Sequence, residues 1–439
     1  MHPPFSLLEA RAALQAKATR LRRNFIIATV PADSVGEQAK AKAKAKAKAK
    51  AKAKANLNFF TVNYDYLIVG AGLFGSVFAH LMKQQGKRCL VIDKRPHVGG
   101  NTFSPCIRGI HRHDYGAHIF HTSDPEVIDF VCQHAHFNRY TNSPVAIHRG
   151  KLFNLPFNMN TFHQMWGVKT PAEAQAMLEE QRREARAELQ RLGLSQPQNL
   201  EQQALLLVGK DIYHTLIKGY TEKQWGYPAN SLPPEIIRRL PVRFVFDNNY
   251  FNDSFQGIPE GGYNVLTDSL LDGIEVRLSE DFFDRREEWM KVAKKVVFSG
   301  PIDRFFDYCF GHLPYRSLRF EHLEVEESNF QGNAVVNYTE ADVPYTRIIE
   351  HKHFETFGED VYRLPHTLIT KEYPAAWTPG VEPFYPINTP EANACHERYK
   401  QLAAQQDRVI FGGRLADYRY YDMAPTIRCA LDAARKEAQ

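Results

Sequence analysis

Residues Tyr64–Asn101 read YDYLIVGAGLFGSVFAHLMKQQGKRCLVIDKRPHVGGN, and this stretch decides the fold. Tyr66–Val69 is a short apolar run of strand-favouring residues. Gly70, Gly72 and Gly75 follow at G-x-G-x-x-G spacing. Ser76–Gln85 carries a helical pattern, and the run Arg88–Ile92 predicts a second strand ending on Asp93. Strand, glycine turn, helix, strand and acid together form the context that a dinucleotide fingerprint requires. Gly70 permits the tight turn, Gly72 lets backbone approach a pyrophosphate, and Gly75 lets helix and strand pack closely. The helix start at Leu73 and Phe74 offers free N–H groups and a positive dipole end to phosphates. Asp93 stands where a carboxylate accepts hydrogen bonds from ribose hydroxyls.

Beyond Asp93 come Lys94 and, after a short link, Gly99-Gly100-Asn101. A glycine pair shortly after the ribose acid resembles the extended FAD signature of glutathione-reductase-like and amine-oxidase-like flavoproteins. That resemblance implies FAD rather than NAD.

The chain has 439 residues, enough for a large core and more than one domain. An aromatic content of 12% suits a cleft lined with rings. No apolar run reaches 18 residues, so no transmembrane helix or stable membrane insertion is expected. The six cysteines (89, 106, 132, 309, 395, 429) are scattered without a C-x-x-C pair, which fits reduced thiols in a cytoplasmic protein. The net charge of +5 arises in residues 1–62, where 13 Lys and Arg face three acids; the remainder is net acidic, and no nucleic-acid partner is expected. Ala39–Ala55 alternates Ala and Lys without interruption. Neither a helix nor a strand of that composition has an apolar face to bury, so residues 1–62 read as a basic, disordered leader. Deleting residues 1–61 is therefore expected to leave turnover unchanged, and a large loss in a steady-state assay would refute a passive leader.

Along the rest of the chain, Ile107–His113 predicts a strand and Asp124–Ala135 a helix with Pro125 in its first turn. The histidines at 111, 113, 118 and 121 invite a metal reading, but no carboxylate or cysteine stands at a familiar ligand spacing and Gly116 argues for a turn. A histidine beside a flavin is the better functional reading, with a structural histidine as its alternative. Pro144–Ile147 and Lys151–Leu155 predict a hairpin. Thr170-Pro171-Ala172-Glu173 is a capping box opening a helix to Leu192, and Asn199 caps another running to about Gly219. Pro233–Arg239 reads as a short helix, and VRFVF (242–246) as a strand. Ile274–Leu278 and Val296–Ser299 read as strands returning to the nucleotide domain. Phe320–Glu326, Gly332–Tyr338, Tyr345–Glu350 and Leu368–Tyr373 read as an antiparallel sheet. Arg408–Gly413 is a strand into a glycine pair, and Thr426–Lys436 a terminal helix.

The fold class expected is α/β: an FAD-binding Rossmann-like domain interrupted by a helical insert and an antiparallel β-sheet insert. The FAD domain takes residues 63–140, 264–312 and 386–439. The helical substrate and lid domain takes 156–240, and the sheet domain 141–155, 241–263 and 313–385. Ligands in such folds lie at strand carboxyl ends and between domains. The candidate cleft residues are arginines without local partners (Arg239, Arg243, Arg347, Arg414) and aromatics in polar loops (Tyr220, Trp225, Tyr250, Phe251, Tyr385, Tyr420). Arginine forks bind phosphate bidentately, tyrosine hydroxyls add donors and ring faces suit a nucleobase. An amine oxidase would need an apolar, neutral cage instead, so these residues favour an anionic nucleotide ligand.

The ordered runs VGAGLFGSVFA, GGN, YGAHIFHT, FNLPFNMNTFHQMWGVK, LIKGYTEKQWG, PVRFVFDNNYF, GIPEGGY, FQGNAVVNYTEADVPYTRIIEHKHF, TKEYP and VIFGGRLADYRYYDM resemble the bacterial UDP-galactopyranose mutase family over about residues 64–430. The resemblance implies interconversion of UDP-galactopyranose and UDP-galactofuranose, with reduced FAD N5 as nucleophile at the anomeric carbon and no net redox change. It implies galactofuranose supply for cell-surface polysaccharide such as lipopolysaccharide, a cellular reductant of the flavin, and a homodimer. Arg239 and Arg347 would hold the diphosphate, with Arg239 beside a mobile lid. Tyr250, Tyr385 and Tyr420 would give hydroxyl contacts to phosphates, with Phe251 at their side. Tyr220 and Trp225 would flank uridine and sugar, Asn337 would contact uracil, and Asp422 would lie near the substrate. His118, Ile119, Arg414 and Met423 would sit against the flavin, and Gly412 and Gly413 would approach it. The family often has Phe where this chain has Leu216, and Glu355–Leu368 is somewhat longer than usual.

Overall fold

The computed structural model describes residues 63–237 and 240–439. The basic leader and Arg239 lie outside the described residues. The apolar runs that flank the glycine turn form the middle of a five-stranded, all-parallel sheet. Its order is Val409–Phe411, Ala293–Phe298, Tyr64–Val69, Cys89–Asp93, Glu275–Leu278. Leu67, Ile68, Leu90, Val91 and Ile92 are fully buried, as strands covered on both faces require. Helix Leu73–Gln84 packs through Val77, Phe78 and Met82 against the helices Tyr263–Leu271 and Met423–Ala438.

A seven-stranded sheet stands beside it, ordered Tyr385–Pro386, Tyr315–Val325, Thr367–Ala376, Arg347–Glu350, Val335–Tyr338, Val145–His148, Lys151–Asn154. It is antiparallel except between Val335–Tyr338 and Val145–His148, which run parallel, so the expectation of a purely antiparallel sheet is corrected. The register aligns three polar residues. Asn337 lies opposite Arg347, and Arg347 opposite Glu372. Cross-strand partners share a face, so the three side chains form one row across three strands.

The helical part begins with the expected capping box: Glu173 N–H donates to Thr170 Oγ1 (3.3 Å) and Thr170 N–H to Glu173 Oε2 (3.3 Å). Helix Pro171–Arg191 continues from it. The next helix does not run smoothly to Gly219. It spans Leu200–Ile212 with a break at Gly209 (φ 74°), widens to a π turn over Tyr213–Ile217, and continues as Lys218–Trp225. The break has a packing cause, because a Cβ on Gly209 would stand 2.6 Å from Gln181 Oε1. The π turn rotates the face on which Tyr220 sits, a form often found at functional sites.

Other expectations need correction. Ile107–His113 is a tight hairpin of Cys106–Ile107 and Ile110–His111, turned by Arg108 and Gly109 at positive φ. VRFVF is no strand: only Val242 makes a bridge, to Phe157, and Val245 and Phe246 are exposed. Arg243 turns this segment back by donating to the carbonyls of Asn249 and Phe251. Of the expected helix Pro233–Arg239, the part within the described residues holds a 3-10 turn, Pro234–Ile236. The helices Met159–Trp166, Tyr263–Leu271 and Pro390–Ala403 add to those expected from the sequence. No helix among the described residues is long and apolar enough to cross a membrane, and all six cysteines are free.

Candidate active site

A cleft of about 1680 Å³ runs from the glycine turn to the face of the seven-stranded sheet. That exceeds an ordinary small-molecule pocket of ~300–1,000 Å³ and suits a dinucleotide plus a second ligand. At one end the glycine fingerprint builds a cradle. Gly70 turns at φ 110°, and Gly75 packs so tightly that a Cβ would stand 2.0 Å from Gly70 O. Gly72 differs: a Cβ there would meet only Gly100 Cα, at 3.8 Å. Gly72, Leu73 and Phe74 line the cleft at an uncapped helix N-terminus, with Gly99, Gly100 and Asn101 opposite. Such a terminus leaves N–H groups for phosphate oxygens. Asp93 is fixed by accepting from Ala71 N–H and Arg95 N–H, both at 2.8 Å. Lys94 pairs with Glu382 (2.8 Å) at the same end.

At the other end stands the polar row of the large sheet. Arg347 Nη2 lies 2.9 Å from Glu372 Oε1, and Glu372 is fully buried. Burial alone would lower the pKa of Arg347, but the Glu372 carboxylate more than offsets it and keeps the guanidinium charged. Tyr220, Tyr250, Tyr385 and Tyr420 surround this pair along the cleft. Burial pushes Tyr220 up to about 12 and raises Tyr250 and Tyr385, so these hydroxyls are donors at neutral pH, while Tyr420 stands more exposed at the cleft mouth. Arg347 Nε, Asn337 Oδ1, Glu372 Oε2 and Arg414 Nε are buried and have no hydrogen-bond partner in the protein. Buried polar atoms of this kind call for a ligand or ordered water.

His118 lies between the two ends. Its Nδ1 is 2.8 Å from the Gly116 carbonyl, which fixes Nδ1 as donor and leaves Nε2 as acceptor. Burial drops its pKa to about 4, so the ring is neutral at physiological pH.

Known proteins resemble this chain in sequence and in fold. A family model described as UDP-galactopyranose mutase matches residues 215–420, and one described as an NAD(P)-binding Rossmann-like domain matches 68–133. A probable UDP-galactopyranose mutase of Klebsiella pneumoniae is 39% identical over 378 residues, covering 85% of this chain and 94% of that protein. The chain belongs to the UDP-galactopyranose mutase family. A second relative, a dTDP-fucopyranose mutase of Escherichia coli, is 36% identical over 377 residues, 84% of this chain and 97% of that protein. In fold the chain is similar to a solved structure of reduced UDP-galactopyranose mutase, with TM-score 0.64 at 15% identity, covering 86% of this chain and 96% of that one.

Of the residues singled out by the sequence and the family resemblance, most line one cleft. Ile119, Phe251, Gly413, Asp422 and Met423 are among them. Several do not. Trp225 packs against the helical core. Leu216 is buried in that same core. Gly75 and Gly412 sit behind the cleft, and Gly412 has Phe74 where a Cβ would go, at 2.3 Å. Arg243 is engaged with the 247–252 loop and holds Tyr250 and Phe251 in place rather than facing a ligand. The histidines part ways: His111 pairs with Glu355 (2.8 Å), while His121 pairs with Asp253 (2.7 Å) and stacks on Phe251 (3.6 Å between ring centroids). Glu372, Asn142 and Asp253 also line the cleft, and the sequence reading does not find them. Only cross-strand register could draw attention to Glu372.

Proposed function

We propose that this chain interconverts UDP-galactopyranose and UDP-galactofuranose, using FAD in its reduced form. The observation that carries the proposal is the Asn337–Arg347–Glu372 row, whose unpartnered buried polar atoms lie beside the cleft among four tyrosines. A charged fork held by a buried carboxylate, with neutral phenol donors around it, suits a diphosphate leaving group. Arg347, Tyr250, Tyr385 and Tyr420 would hold the diphosphate, joined by Arg239. Tyr220 would flank the uridine and sugar, and Asn337 would contact uracil. The glycine cradle fits the FAD pyrophosphate, with Asp93 toward the ribose and His118, Arg414 and Met423 toward the flavin. When bound and reduced, FAD supplies a nucleophilic N5 for the anomeric carbon without net redox change. Neutral His118, with Nε2 as acceptor, can take a hydrogen bond there without bringing charge.

Purified protein, reduced with dithionite under anaerobic conditions, is expected to convert UDP-galactofuranose to the pyranose form, read by chromatography. The oxidised protein should not do so. No conversion by the reduced protein would overturn the proposal. The Escherichia coli relative supplies a second reading, a dTDP-6-deoxy sugar as substrate. Running dTDP-fucofuranose in the same assay decides between them by the larger kcat/KM.

The cradle carries its own prediction. Gly72→Ala adds a methyl that meets no protein atom closer than 3.8 Å. It should leave the thermal stability of the flavin-free protein unchanged while weakening FAD binding about tenfold or more in a titration. Unchanged FAD affinity would mean that the pyrophosphate lies elsewhere.

A further inference from the structure

The mechanism uses His118 but not the two buried histidines behind it. His113 and His351 are 2% and 0% exposed, and neither lines the cleft. They are nonetheless linked to it. The backbone N–H of His118 donates to His113 Nδ1 (3.2 Å), and the N–H of His113 donates to His351 Nδ1 (3.1 Å). His351 Nε2 is 2.6 Å from Thr370 Oγ1, which is 2.8 Å from His322 Nδ1. Both Nδ1 atoms accept, so both rings carry their proton on Nε2. The His113 ring is stacked on Phe354 (4.3 Å, 3°) with Tyr263 edge-on at 5.6 Å. The hydroxyl of Tyr263 donates to the His118 carbonyl at 3.0 Å. Both backbone polar groups of His118 are thus held from behind, while its ring is held by Gly116.

We infer that His113 is a positioning residue for His118: its Nδ1 clamps the loop that presents His118 to the cleft, while His351, braced by Thr370, holds the His113 backbone. The inference rests on the reading of the cleft as a flavin and nucleotide-sugar site. An ordinary buried histidine would need only some partner for its polar atoms. Here the partner is the backbone of the cleft residue itself, and the chain of donors runs in one direction from the cleft loop into the sheet.

The test uses the full-length, flavin-loaded chain. His113→Asn places an acceptor oxygen where Nδ1 stood; His113→Leu keeps the bulk without it. His113→Leu is expected to lower kcat about tenfold, leave KM for the nucleotide sugar within about threefold, and shift the visible absorption of the bound flavin. His113→Asn should restore the flavin spectrum and most of kcat. A His113→Leu protein with wild-type kcat and spectrum would overturn the inference, as would His113→Asn behaving no better than His113→Leu at equal melting temperature. Should His113→Leu fail to fold, His113→Phe keeps an aromatic ring on Phe354 but no acceptor and must show the same spectral shift; no shift again overturns the inference. A wild-type protein inactive on the sugar nucleotide would instead count against the proposed function, and the flavin spectra would still decide the clamp.

Discussion

Arg347→Ala should lower kcat by about a hundredfold or more, the loss of ~3 kcal/mol expected on removal of a charged group stabilising a developing anion. Arg347 stands on the central row of the large sheet with Nη2 on Glu372 and Nε unpartnered. Alanine has a second consequence. It leaves the fully buried Glu372 carboxylate without its cation, and breaking a buried pair costs about 3–5 kcal/mol of stability. Activity loss in that variant alone could therefore reflect a damaged fold. Arg347→Lys separates the two effects. A lysine keeps a positive charge beside Glu372 but offers a point charge in place of the planar fork. It should melt close to wild type with full flavin content, yet lose about tenfold or more in kcat. Near-wild-type turnover in Arg347→Lys would show that no bidentate phosphate contact is made there.

How much of the fold and the cleft is legible in the sequence depends on the range of each interaction. The dinucleotide cradle depends on residues within one strand–turn–helix–strand unit, so glycine spacing and Asp93 locate it directly. The row of Asn337, Arg347 and Glu372 depends on the register among three strands, with Glu372 beyond a long connection from Arg347. Arg347 is identifiable as a candidate, but its buried carboxylate partner is not. Arg243 shows the opposite error. It looks free beside VRFVF, yet Asp247 Oδ2 (3.2 Å) and Asn252 Oδ1 accept from it together with the carbonyls of Asn249 and Phe251, and those two carbonyls leave no trace in side-chain composition. The same backbone bonds explain why a strand-like segment forms no strand. The break at Gly209 and the π turn before Tyr220 arise where the helix meets Gln181 and the sheet, and no local periodicity encodes such contacts.

Acid should destabilise this protein well above the pH at which carboxylates protonate. Burial holds His113 and His351 well below the ordinary value of 6.5 and His118 at about 4. All three are neutral in the folded chain and are free to take a proton in the unfolded one. Between about pH 6.5 and pH 4 the unfolded state therefore binds more protons, and stability rises with pH through that window. Their contribution is complete above 6.5 and is lost as the pH falls. Each group contributes about 1.4 kcal/mol per pH unit at full effect, so the fully buried His113 and His351 together approach ~3 kcal/mol per unit, and His118, partly open to the cleft, adds a smaller share. His80, His97, His134, His148, His322 and His396 are lowered in the same direction by burial, but they are less enclosed and water screens their share. Denaturant unfolding of the flavin-saturated protein at pH 7 and pH 5 should thus differ by several kcal/mol, a large part of the stability of an ordinary domain. Carboxylates contribute little to that interval, because most protonate only below it. Equal unfolding free energies at the two pH values would mean that the histidine cluster is hydrated or already charged, and a neutral hydrogen-bond chain from His118 to Thr370 could not then exist.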